Sequence, residues 1–304
     1  MPDKKIPPAG GTGQKDQVHP LEKQGKMFKT SDALSRPVPA FPAQPPVRHT
    51  TGPGKPNTSA RVPGGQPRSG PEGTERGRLR EGIRLFRMKR YDMALAELVQ
   101  VDSTGFSGEE NAELAYYLGL CHTKLEHYDE ALIYLDQVIS TGQSVLRSYQ
   151  CRMTLSYIYV ITKKNKMAEF ELALLRKSGF ESVQLYTTLA YLAWMRKDIK
   201  ETVNYYEQAL EIDENNATAM NGLGYVLVET NTDLLRGLRL CRRAVDRKPQ
   251  NAAYMDSLGW ACFKNGDLIG ARNWLRRALD LAAGEKEIQD HWHIATREDS
   301  PRGK

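Results

Sequence analysis

Long apolar runs are missing from this 304-residue chain. Its apolar stretches, such as 157–161, fall far short of the roughly 20 residues that a membrane-spanning helix requires, so no transmembrane segment is expected. Residues 1–13 also lack the apolar stretch of about 7–15 residues behind a basic start that marks a secretory leader, and a cytoplasmic location is the expectation. Cysteine is scarce. Cys121, Cys151, Cys241 and Cys262 form no CxxC pair, which points to reduced thiols packed as small apolar side chains rather than to a disulfide framework or a zinc ribbon.

Catalytic groupings are equally wanting, since no nucleophile, base or metal-ligand set recurs at a spacing that would bring its members to one point. His291 and His293 are two apart, so a helix would aim them in different directions instead of at one metal. Packing and capping account for His122 and His127. The stretch Gly10-Gly11-Thr12-Gly13-Gln14-Lys15 lacks the spacing and the preceding strand of a phosphate loop. The chain is therefore expected to be no enzyme, with no cofactor, no metal and no small-molecule substrate.

Bulky apolar residues are thin in one place above all. Residues 1–74 hold 14 of the 16 prolines and 10 of the 25 glycines, and with so little apolar surface they have nothing to offset the entropy of ordering a backbone. They read as a disordered tail. It carries 11 Lys+Arg against 5 Asp+Glu, which accounts for the whole net charge of +6. Glu75 to Arg90 adds seven basic residues, among them Arg76, Arg80 and Arg87, which makes these three the candidate contacts for an acidic partner, nucleic acid or anionic lipid. Arg36-Pro37-Val38-Pro39-Ala40-Phe41-Pro42 has the R-x-x-P-x-x-P spacing that proline-binding grooves accept, and Lys26-Met27-Phe28-Lys29 is a second short docking candidate.

What the rest of the chain does have is a 34-residue echo. With Leu-Gly set at positions 7 and 8, units fall at 75–108, 112–145, 149–182, 183–216, 217–251 and 252–285. Position 8 reads Gly82, Gly119, Ser156, Ala190, Gly224 and Gly259, and position 20 reads Ala94, Ala131, Ala168, Thr202, Gly237 and Ala271. Two antiparallel helices joined by a short turn come close only where neither carries a large side chain, so these positions should face one another. Position 24 (Leu98, Leu135, Leu172, Tyr206, Cys241 and Leu275) should fill the gap beside them.

A period of this length with these residues resembles the tetratricopeptide repeat, and Ala253-Tyr254-Met255-Asp256-Ser257-Leu258-Gly259-Trp260 looks most like its bacterial members. The resemblance covers about 210 residues. Position 27 departs from it in the first three units, where Val101, Val138 and Leu175 replace a small residue, and only Pro249 occupies position 32. It implies an all-α, right-handed α-solenoid of about six helix-turn-helix repeats behind the disordered tail. Lys286 to Glu298 would follow as a capping helix with Ile288, Trp292 and Ala295 on one face, and 299–304 would fray.

In that family the first helix of each unit lines the inner wall, and its positions 2, 5, 9, 12 and 13 face a bound partner. Carried over, position 9 supplies Tyr157, Tyr191, Tyr225 and Trp260, position 12 supplies Trp194 and Phe263, and position 5 of the fifth unit supplies Asn221. These seven are the candidate contacts for a peptide or helical segment of another protein. The aromatics serve either as anchors on that surface or as packing between adjacent first helices. The Lys, Asn and Arg set with which some members hold a peptide's terminal carboxylate is absent. The function expected is an adaptor or scaffold. Two alternatives stand beside it: an electrostatic tether acting through the basic tail and first helix, and an array whose groove is occupied by its own tail.

Overall fold

A computed structural model describes residues 74–297, which form thirteen helices with no strand among them. The reading of residues 1–74 lies outside the described part except at Thr74, and so do the tail motifs and the end of the chain beyond 297. The first three pairs are α1 (Glu75–Arg87) with α2 (Tyr91–Leu98), α3 (Gly108–Lys124) with α4 (Tyr128–Thr141), and α5 (Val145–Ile161) with α6 (Asn165–Lys177). The next three are α7 (Val183–Met195) with α8 (Ile199–Ile212), α9 (Ala217–Glu229) with α10 (Leu234–Arg247), and α11 (Ala252–Lys264) with α12 (Leu268–Leu281). A single helix, α13 (Lys286–Arg297), closes the series. Each helix packs on its pair mate and on the next helix in the chain, and first helices of successive pairs also touch, α1 on α3, α3 on α5, α7 on α9 and α9 on α11. The architecture is an α-solenoid.

Every first helix begins with its own start signal. Thr74, Ser107, Ser144, Ser182, Asn216 and Asn251 each accept, through a side-chain oxygen, a hydrogen bond from the backbone N–H three residues on. Such a cap stabilises a helix by about 1 kcal/mol because it satisfies an otherwise orphaned donor. The turn inside each pair is just as regular, with a left-handed residue at repeat position 15: Lys89, Glu126, Lys163, Lys197, Asn231 and Gly266. Only the last is glycine, so five turns hold an L-residue where it is costly, and packing of the flanking helices imposes the conformation.

Positions 8 and 20 do face each other. A Cβ on Gly82 would lie 3.4 Å from the Ala94 carbonyl oxygen, and one on Gly119 would lie 2.9 Å from the gap-filling Leu135. In the fifth pair both positions are glycine, and a Cβ on Gly224 would come within 2.9 Å of the Gly237 carbonyl oxygen. Leu98, Leu135, Leu172, Cys241 and Leu275 at position 24 are fully buried, as gap-fillers should be. Tyr206 is the exception. It leaves its own pair and lies across Gly222 of the next, where a Cβ would sit 2.3 Å from its ring.

All four cysteines are free and buried in the stack. Burial pushes the thiols of Cys121 and Cys151 up to about 12 and that of Cys262 up to about 11, and it raises Cys241 as well. A thiol with a pKa near 12 is thiolate in roughly one molecule in ten thousand at pH 8. We expect a maleimide or disulfide-exchange reagent to label none of the four at pH 8 in the folded chain and all four after unfolding in denaturant. Rapid labelling of any one in the native state would show that its helix pair opens freely.

Candidate binding groove

The inner wall of the last three pairs holds a cavity of about 370 Å³. Tyr191 and Trp194 reach it from α7, Asn221 and Tyr225 from α9, and Tyr254 and Asp256 from α11, while Glu287 and Ile288 of α13 close one end. A spacing of three or four residues along α7 and α9 puts each of those pairs on one helical face. Trp194 and Tyr225 meet edge to face at 6.1 Å, and the Tyr225 hydroxyl donates to Glu287 at 3.4 Å, so the wall is tied across three elements. Thr218 and Tyr254 share a hydrogen bond of 2.9 Å. Burial raises the Tyr254 phenol above its usual range against the opposing effect of that bond. The carboxamide oxygen of Asn221 is buried, and among the described residues no donor reaches it.

The seven residues singled out by the repeat register do not form one stripe. Tyr191, Trp194, Asn221 and Tyr225 converge on the cavity. Tyr157 is half-buried one unit before the cavity and stands apart from it. Trp260 and Phe263 share the apolar cluster of Tyr225 but do not line the cavity, and the indole is stacked on His291 at 4.3 Å and on Phe263 at 5.1 Å. Its Nε1 donates to Glu229 at 2.8 Å. With both faces covered and its polar atom satisfied, Trp260 serves packing at this end of the stack. At position 9 the side chains of Ile83, Leu120, Tyr191, Tyr225 and Trp260 are all less than one-tenth exposed.

Among the lining residues that were not foreseen are three that shape the wall. Tyr206 comes from a second helix, at the position expected to fill the gap in its own pair, and the signal for it is Gly222, which clears the space that its ring occupies. Tyr254 lies at repeat position 3, and Glu287 belongs to the cap.

Beneath the cavity floor, His291 of α13 places Nδ1 2.9 Å from both oxygens of Asp256, with both residues buried. Burial alone would lower the imidazole pKa, but the charge and hydrogen bond of Asp256 outweigh it, and Glu287 and Glu229 add to the same sign, so the net direction is upward. The cap face is thus Ile288, His291 and Ala295, with Trp292 only half-buried at its margin. His293 is exposed, and no group of His, Cys, Asp or Glu among the described residues is placed to hold a metal. No described helix is long and apolar enough to cross a membrane.

At the opposite end, Arg76 grips Glu110 through two bonds of 2.6 and 3.2 Å. That hydrogen bond and a second from Ser107 hold the Glu110 carboxyl down to about 2. Arg80 and Arg87 are exposed, with the Arg80 guanidinium donating to the Arg76 carbonyl.

Paired helices with small residues at their crossings are the architecture of tetratricopeptide-repeat solenoids, and comparison with known proteins finds that repeat in part of the chain. Two family profiles described as tetratricopeptide repeat match residues 183–216 and 229–286. A tetratricopeptide repeat-containing protein of Pseudomonas aeruginosa is 31% identical over 99 residues, which span 33% of this chain and 17% of that relative. Among solved structures, the chain resembles one in the Cut9–Hcn1 hetero-tetramer of the APC/C, with a TM-score of 0.64 at 13% identity over 75% of this chain and 44% of that one. It also resembles Pseudomonas aeruginosa PilF, with a TM-score of 0.58 at 12% identity over 72% of this chain and 97% of that one. Residues 183–216 and 229–286 thus carry tetratricopeptide repeats, and the described helices share the fold of such solenoids.

Proposed function

We propose that this protein is a binding scaffold, not a catalyst, and that it holds a segment of another protein in the groove formed by α7, α9, α11 and α13. What supports the reading is the convergence of Tyr191, Trp194, Asn221 and Tyr225 on one cavity. Rings give a peptide large contact area at low entropic cost, and a carboxamide among the lining residues offers a backbone both a donor and an acceptor. The tether reading has less support, because Glu110 already engages the Arg76 guanidinium.

Trp194→Ala is expected to weaken capture of the cellular partner by about 2 kcal/mol, roughly 30-fold, as befits a central aromatic anchor. Asn221→Ala is expected to weaken it by about 1 kcal/mol. The check is quantitative crosslinking mass spectrometry in the source cell with full-length wild type and both variants, alongside circular dichroism to confirm that helicity is kept. Recovery of the same partners at undiminished levels from the Trp194→Ala cells would remove the groove from consideration.

A further inference from the structure

The groove has a sign. Its lining includes the carboxylates of Asp256, Glu285 and Glu287 and no Lys or Arg at all. Even with the raised pKa of His291 behind Asp256, the balance facing an occupant is negative. The wall beside these acids is aromatic, from Tyr191, Trp194, Tyr206, Tyr225 and Tyr254. Such a surface suits two side-chain types: guanidinium groups, which pair with carboxylates and lie over ring faces, and proline rings, which dock between aromatic planes in an extended left-handed helix.

Both types are concentrated in one stretch of this chain. Residues 36–48 read RPVPAFPAQPPVR, with an arginine at each end, five prolines, a phenylalanine and no acidic residue. Residues 1–73 as a whole carry 11 basic and 5 acidic groups, whereas residues 74–297 are balanced at 30 and 30, so the complementary charge lies ahead of the array. Length permits the contact. A fully extended chain covers about 3.3 Å per residue, so the stretch from Arg48 to Thr74 spans up to about 80 Å. Helix layers about 10 Å apart put the groove roughly 40–50 Å from α1. Val38, Ala40, Phe41, Ala43 and Gln44 keep backbone N–H groups between the prolines, free to donate to the carboxylates that line the groove.

We propose that the groove is occupied by residues 36–48 of its own chain, with Arg36 or Arg48 beside the carboxylates of Glu285 and Glu287 and the prolines on the rings of Trp194 and Tyr206. This rests on reading the groove as a protein-segment site and makes the tail its resident competitor, which an outside partner must displace. A tethered segment acts at an effective concentration on the order of millimolar, so a free ligand sees a weaker site.

The test uses two full-length chains, wild type and Arg36→Glu with Arg48→Glu, and a fluorescein-labelled synthetic peptide of residues 36–48 read by anisotropy at low and physiological salt. The charge-reversed chain is expected to bind the peptide at least about tenfold more tightly than wild type, to lose it with added salt, and to lose it again when Trp194→Ala is introduced. Equal affinity for the two chains overturns the proposal, as does binding that Trp194→Ala leaves intact. Peptide-sensitive dimers of the wild type in sedimentation velocity would also overturn it, since the segment would then be docking on a second copy. If neither chain binds the peptide while Trp194→Ala still releases the cellular partner, the tail is not the occupant and the groove reading stands. If Trp194→Ala affects neither, both readings fall.

Discussion

Asp256→Ala is expected to release the last helix. His291 and Asp256 are 6% and 5% exposed, and a buried pair that loses one partner costs about 3–5 kcal/mol because the other is left uncompensated. The loss falls on the seating of α13, which would be left with Ile288, Ala295, the half-buried Trp292 and the bonds from Tyr225 to Glu287 and from Arg272 to the Ala295 carbonyl, while Trp260 would stack on an imidazole that has lost its carboxylate. Hydrogen exchange resolved along the chain is the measurement. Amides of 286–297 should lose their protection at least a hundredfold while those of α3 and α4 are unchanged. Retained protection in α13 would show that apolar contacts suffice to hold it.

The same pair sets a pH dependence. The folded pKa of His291 lies above its ordinary value of 6.5, so its contribution is fully present below the unfolded pKa and is lost as pH rises through the folded one. The gap in α13 protection between wild type and Asp256→Ala should therefore be widest under mildly acidic conditions and shrink as the medium becomes alkaline. A gap that widens with rising pH would reverse the assignment.

Gly224→Val is expected to break the fifth pair. The added Cβ would lie 2.9 Å from the Gly237 carbonyl oxygen, 2.8 Å from the Cys241 sulfur and 3.1 Å from the Cys241 backbone nitrogen. Two of those obstacles are main chain and cannot rotate aside, so α9 and α10 must separate at a cost of about 3 kcal/mol. Because stability in such arrays is a sum over neighbouring units, the damage should stay local, with protection falling in 217–247 and through the groove while the first two pairs are preserved. Gly284→Ala is the control, because a Cβ there meets nothing within 4 Å. Equal stability of the Gly224→Val and Gly284→Ala chains would mean that the pair tolerates a wider crossing.

Contrasts of this kind explain what could be read in advance. Gly82, Gly119, Gly224 and Gly259 recur because every pair crosses at the same place, and a requirement repeated six times stands out in one sequence. Left-handed backbone at position 15 recurs just as strictly, yet Lys89, Glu126, Lys163 and Lys197 give no hint of it, because tertiary packing imposes the conformation. Register alone placed Tyr191, Tyr225 and Trp260 in one line. It had no means of showing that α13 covers the indole with His291, since a terminal element breaks the translational symmetry on which the argument rests. Tyr206 escaped for a related reason: one position can serve its own unit or the next, and only the missing side chain at Gly222 tells which.

Glu287 and Ile288 form part of the cavity wall, and the helix that carries them is fastened through Asp256, itself a lining residue. Occupancy and the attachment of the C-terminal helix thus draw on shared groups, and thermodynamic reciprocity makes each strengthen the other by the same factor. Whatever sits against those side chains also guards the end of the array from fraying, and a chain trimmed before Lys286 forfeits grip along with its lid.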